Sequence, residues 1–301
     1  MKNKDARLRS ETKAEQQQPH RKKERSLSWQ NKHIVSVVFL GLFTAFVLFP
    51  IILALLNSFK PIAEIQRNFL TFNPKTFTLA AYDKVITVLR FGEGLWNNVV
   101  ITLLSTAMTV VLGSLMAFAI SLVNSKFLRA VYLTSILLIC IPIHAIILQL
   151  VPLLKTIGLI NTYLGTSFVF TALSLPVAVF LYTGFMRTLP RELSEAAVVD
   201  GCGLWKIYSS IYMPLMKTIT VTVIILRATY IWNDLLVSLV TISDATKTML
   251  VPRMYAFNSS TSTRWDLVLA SSVLVSIPVA ALYLFLQKFY MRGLVSGAVK
   301  E

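Results

Sequence analysis

The sequence predicts an all-α integral membrane protein with six transmembrane helices. Two properties of composition point there: 55% of the 301 residues are hydrophobic, with a mean hydropathy of +0.66, and only 14% are charged. A soluble domain carries roughly 25% charged residues. The third observation is patterning. A hydrocarbon core of about 30 Å takes roughly 20 apolar residues at about 1.5 Å rise each, and six runs of that length are nearly free of Lys, Arg, Asp and Glu.

In chain order the runs are Ile34 to Leu56, Val99 to Val123, Ala130 to Leu154, Leu164 to Met186, Thr218 to Ile242 and Leu267 to Gln287. Only the fifth contains charges, Arg227 and Asp234. Any single run could be a buried core helix. Six of them leave too little polar sequence to cover a soluble core. The first is too long for the apolar part of a signal peptide, and Phe49 and Pro50 follow where a small-residue cleavage site would stand, so it is expected to stay as an anchor.

A net charge of +15 would suggest nucleic acid as the partner of a soluble protein, but its distribution argues for a membrane. Ten of the 29 Lys and Arg precede Ile34, and Arg21, Lys22, Lys23 and Arg25 adjoin the first span, where basic residues hold a segment on the cytoplasmic side. With both termini inside, internal segments hold 19 Lys and Arg against nine in external loops. The implied organisation is a disordered basic tail (1–33), a first helix (34–56), an extracytoplasmic segment (57–98), a five-helix core (99–290) and a cytoplasmic tail (291–301). Within the external segment, Leu79 to Val85 could form an interfacial helix. Cys140 and Cys202 fall in a span and an internal loop, so neither a disulfide nor a metal site is expected.

Pro142, Pro152 and Pro176 interrupt spans three and four, and Gln149 and Ser174 lie at depth. They suit a bundle with a path through it, although prolines are also common in membrane helices. No internal repeat suggests inverted halves. The most informative segment is the internal loop 187–217, RTLPRELSEAAVVDGCGLWKIYSSIYMPLMK. Pro190 suits the first turn of a helix on which Leu193, Ala196 and Ala197 share a face, and Gly201 supplies its end. Leu204, Ile207, Tyr208 and Ile211 restart a helical stripe, and Pro214 marks the start of span five. Small Ala196 and Ala197 would let another protein approach, with Glu195 and Asp200 offering carboxylates to basic partners.

The spacing of Glu195, Ala196, Ala197, Gly201, Ile211 and Pro214 resembles the EAA loop of binding-protein-dependent ABC importer permeases, with Met213 where the usual pattern has Leu. Trp232, Asn233 and Asp234, and the ending Leu286 to Lys288, Arg292 to Leu294 and Gly297, Ala298, Val299, Lys300, resemble the MalG-type carbohydrate permeases. The resemblance implies a type I ABC importer permease fold and a bacterial cell-membrane location. It also implies a second, MalF-like permease, a cytoplasmic ABC ATPase dimer that receives the loop, and an extracytoplasmic sugar-binding protein. No cofactor is expected on this chain; ATP and Mg belong to the ATPase, and no glycine-rich phosphate loop stands in an internal segment.

Arg227 and Asp234, seven residues apart, would share a face of span five, and each would be costly in lipid if unpaired. They are expected either to line the path or gate or to stabilise the bundle; Tyr230 and Trp232 could stack on a sugar or form an interfacial belt. His144 suits an interhelical hydrogen bond. No catalytic set is present. The alternatives are an ABC permease for a non-sugar solute, which would share Glu195 to Gly201 but not the ending at Lys300, and a proton-coupled secondary transporter, for which Asp234 would be the only support.

Overall fold

The structure, a computed structural model, describes residues 34–71, 73–257 and 263–298, with side chains to Gln287 in the last helix. The basic tail, Val299 and Lys300 lie outside the described residues; Gly297 and Ala298 are described as helical backbone. The regular elements among the described residues are helices. α1 (Ile34–Asn57) is exposed from Ile34 to Ile52 and becomes buried at Asn57. Short α2 (Ile62–Arg67) and α3 (Ala80–Val88) follow, then α4 (Phe91–Leu122), α5 (Lys126–Ile139), α6 (Ile147–Thr156) and α7 (Tyr163–Met186). The loop forms α8 (Glu192–Val199), α9 (Leu204–Lys206), a π-helical turn (Ile207–Tyr212) and α10 (Met213–Leu215). α11 (Lys217–Trp232), α12 (Leu236–Thr241), α13 (Leu250–Tyr255) and α14 (Trp265–Ala298) complete the chain.

Spans one, two, four and six are single helices long and apolar enough to cross a membrane; in the fifth, Lys217–Trp232 reaches that length only together with Leu204–Leu215, from which it is bent by 75°. The third run is broken. Pro142 has no N–H to continue α5 and disfavours helical backbone at Ile141, so the chain passes through a short 3₁₀ turn (Ile143–Ala145) before α6. His144 sits exposed in that turn and makes no hydrogen bond among the described residues, contrary to the interhelical role expected for it. The fifth run breaks too: α11 stops at Trp232, and α12 is a separate turn and a half.

α4 and α7 share the most extensive helix contact. Gly113 makes it possible, because a Cβ there would lie 2.8 Å from the Ala178 Cβ. Without a hydrophobic drive between helices in lipid, such close backbone approach is what dispersion rewards. The short helix expected over Leu79 to Val85 is α3, whose Ala81 and Val85 are buried against Leu267 and Ala270 of α14.

Candidate functional site

The 187–217 segment folds as a helical hairpin against one end of α4 and α7. Glu192 and Glu195 occupy the first turn of α8, where negative charge suits the helix dipole. The helix stops at Gly201, φ +75°. Its N–H donates to the Val198 carbonyl at 3.0 Å and that of Cys202 to Ala197 at 2.9 Å, the paired bonds of a Schellman cap. A Cβ on Gly201 would meet nothing within 4 Å, so the backbone conformation, not space, calls for glycine.

The two alanines of the motif part company. Ala196 is exposed with Glu195 and Asp200, but Ala197 is 6% exposed, inside a cluster with Phe118, Tyr182, Ile207, Tyr208 and Tyr212. Within this chain, Ala197 lets α8 approach its own bundle. The apolar residues turned outward include Val198, 59% exposed, Val199 at 87%, Leu204 at 62% and Trp205 at 69%.

The second arm is fastened from inside. Tyr208 Oη lies 2.8 Å from Ser114 Oγ of α4, and the Phe118 ring stands edge-on to Tyr208 and Tyr212 at 5.4 and 5.3 Å. Ile211 is half-buried on the same cluster. Pro214 is exposed in α10, which continues directly from the π-helical turn. The way into span five lies after it, at Met216, where the chain bends by 75°.

In span five the expected shared face does not form. Asp234 lies beyond the end of α11, and its Oδ1 accepts the Ser238 N–H at 3.1 Å, occupying a free amide at the start of α12. Asn233, exposed, donates to the Thr229 carbonyl at 2.9 Å. Trp232 is buried; its indole N–H donates to the Val275 carbonyl of α14 at 3.1 Å. Arg227 instead stands over the half-exposed Tyr230 ring, 5.2 Å from its centroid, and makes no ion pair among the described residues. A cavity of about 230 Å³ between α4, α11 and α14 is lined by Trp232, Thr102 and Thr106, whose hydroxyls have no partner among the described residues.

The sequence profile of the binding-protein-dependent transport system inner membrane component family matches residues 109–295, which span the loop and everything attached to it. The chain belongs to this family of membrane permeases. It is 35% identical over 210 residues to the melibiose/raffinose/stachyose import permease protein MelC of Bacillus subtilis, covering 69% of this chain and 76% of that one. It is 30% identical over 266 residues to the arabinooligosaccharides transport system permease protein AraQ of Halalkalibacterium halodurans, covering 86% and 93%. Its fold is that of a bacterial ABC transporter involved in the import of the acidic polysaccharide alginate: TM-score 0.68, 20% identity, 85% of this chain and 95% of that one covered. The resemblance carried by Glu195, Ala196, Ala197 and Gly201 is thus to the right family, and the chain is a multi-pass permease subunit rather than an enzyme.

At the opposite end of the permease, side chains that the sequence did not single out tie the loops together. Asn98 Nδ2 donates to the Trp232 carbonyl at 3.2 Å while its Oδ1 accepts the Leu250 N–H at 2.7 Å. Asn97 donates to the Thr246 and Thr248 carbonyls and accepts from Tyr163 Oη at 2.7 Å. Arg253, buried, donates to the carbonyls of Leu89 and Ala245 at 2.7 Å and of Thr248 at 2.9 Å. Asp244 accepts from the Thr246 hydroxyl and N–H, which with nearby Lys247 hold its carboxyl below the ordinary value of 3.8. The signal available in sequence was a pair of amides, Asn97 and Asn98, at the head of an apolar run.

Proposed function

We propose that this permease is the MalG-like membrane subunit of an ATP-driven importer for carbohydrate, with oligosaccharides as its cargo. The observation that carries the coupling role is the two-sided hairpin: an inner side locked to α4 and α7 through Ala197, Tyr208 and Phe118, and an outer side exposing Val199, Leu204 and Trp205. A segment fastened in this way transmits displacement to the bundle instead of flexing. An ATPase dimer on that outer side would supply ATP, Mg and the closing motion, and Glu195, Ala196, Asp200, Gly201, Ile211 and Pro214 would shape or hold the contact.

The relatives named for melibiose, raffinose, stachyose and arabinooligosaccharides support a sugar as the solute, as does the ending Gly297, Ala298, Val299, Lys300. A second, MalF-like permease would complete the path, and a sugar-binding protein would deliver the solute from outside. Residues 1–33 and 291–301 belong on the ATPase side and 57–98 on the other. Arg227 and Tyr230, with unpartnered Thr102 and Thr106, are the polar groups we assign to the path, because a hydroxyl or guanidinium inside a bundle must meet water or solute. Trp232, Asn233 and Asp234 frame the gate. A proton-coupled carrier is disfavoured, because Asp234 is engaged in capping α12.

Reconstitution of the complete transporter in proteoliposomes with binding protein tests this. Uptake of labelled raffinose or arabinooligosaccharide that requires internal ATP supports the reading. Uptake that ignores ATP and follows a proton gradient, or that is displaced by amino acids but not by oligosaccharides, overturns it.

A further inference from the structure

A second feature occupies the same end of the bundle, beside the hairpin. A cavity of about 350 Å³ lies between the α4–α5 connection, the end of α7 and the start of α8, lined by Arg129, Arg187, Arg191, Ser121 and Ser125. That volume is within the usual range for a small-ligand site. None of the three arginines forms an ion pair among the described residues. One carboxylate, Glu195, lines an adjoining cavity with Arg191 rather than this one. All three residues are exposed, and an anion between their guanidinium groups would offset the mutual repulsion that solvent leaves.

Three further details favour an anion. The Arg187 guanidinium is held over the Tyr132 ring, 4.7 Å from its centroid, so it is oriented from α5. Ser125 is the N-cap of the 14-residue α5 but its side chain makes no capping bond, so the first amide N–H groups of that helix remain available beside the arginines. The Ser121 hydroxyl oxygen is buried and has no partner. A planar guanidinium matches a phosphate with two parallel hydrogen bonds, and hydroxyl and amide groups complete such a cradle.

The surroundings indicate where the phosphate comes from. α5 leaves the cavity with Phe127 73% exposed, Leu133 54% and Leu137 68%, an apolar surface at membrane depth. We infer that this basic cavity binds the phosphate headgroup of an anionic phospholipid from the leaflet at the loop-bearing end, with its acyl chains along α5. Basic pockets between transmembrane helices bind such headgroups by this chemistry. Arg191 is also the N-cap of α8, so the lipid would brace the root of the coupling hairpin. The inference rests on the membrane-spanning reading but not on the identity of the solute, and its test needs no transport.

The test is equilibrium binding of fluorescent phosphatidylglycerol to the purified complete transporter in neutral detergent, with phosphatidylcholine and inorganic phosphate as competitors. Phosphatidylglycerol should bind in preference to phosphatidylcholine. A basic residue near a membrane contributes about 1 kcal/mol, roughly fivefold, so Arg187→Gln with Arg191→Gln should weaken binding roughly 25-fold, while Arg67→Gln after α1 changes nothing. If the double variant does not assemble, Arg129→Gln decides, with roughly a fivefold loss expected. Equal binding of the two lipids, or undiminished binding in the arginine variants, overturns the inference. So does inorganic phosphate that displaces phosphatidylglycerol fully at millimolar concentration, which would make this a site for a soluble anion.

Discussion

Tyr208 and Ser114 share a 2.8 Å hydrogen bond that fastens the second arm of the hairpin to α4, in a cluster where neither oxygen can reach water. Tyr208→Phe leaves the Ser114 hydroxyl to its own helix carbonyls, and should cost about 1 kcal/mol. Because the bond is shared, Ser114→Ala combined with Tyr208→Phe should cost less than the sum of the two single changes. Thermal unfolding of the purified permease complex measures the cycle. ATP-dependent uptake should fall in the single variants even where assembly is complete.

Gly201 adopts φ +75°, a conformation that costs an L residue about 1–2 kcal/mol. Gly201→Ala should therefore lower stability by about that amount, although a Cβ has room. Gly201→Pro should do more harm, since it also removes the N–H that donates to Val198. Gly203, with φ −72°, is the control: Gly203→Ala should leave unfolding and uptake within error. Equal behaviour of Gly201→Ala and Gly203→Ala would show that the Schellman cap is not what shapes the hairpin.

Arg253 gathers carbonyls from the α3–α4 junction and from the 245–248 loop. Arg253→Met keeps the apolar stem but leaves those carbonyls short of donors, and should cost on the order of 3 kcal/mol. Hydrogen exchange should show the loss first in residues 244–250, not in α7.

Asp244 gives the 243–249 loop a pH response of predictable sign. Its carboxyl is held below its ordinary value, chiefly by the Thr246 hydroxyl, so the stabilisation is present above pH 3.8 and is lost as pH falls through the lower folded value. Protection of the Thr246 amide should hold down to about pH 3.8 and drop as pH falls below it in the native permease. Asp244→Asn should flatten that dependence.

Much of this architecture was legible in the sequence, and the exceptions have local causes. Spans one, two and four stand out because no charge interrupts them, and the helices run on through Pro50 and Pro176. Span three has the same apolar character, but hydropathy does not register the missing N–H of Pro142. Span five is apolar through Val240, yet the side chains of Asn233 and Asp234 bond to nearby backbone and end the helix between them. The loop was recognisable from the positions of Glu195, Ala196, Ala197 and Gly201. Which alanine faces inward was not, because α8 has only eight residues and carries apolar side chains on both sides, Ala197 within and Val199 without. The arginine cavity was invisible for a different reason: Arg129 lies far in sequence from Arg187 and Arg191, and only the contact of α5 with α7 brings them together.

The central claim is that α8 shows one side to the bundle and the other to an ATPase. Single cysteines at Val199 and at Ala197, in a chain with Cys140 and Cys202 replaced, test it by cross-linking to the ATPase subunit in membranes. The account predicts an efficient cross-link from Val199→Cys, 87% exposed, and none from Ala197→Cys, 6% exposed. A cross-link from Ala197→Cys with none from Val199→Cys would contradict it.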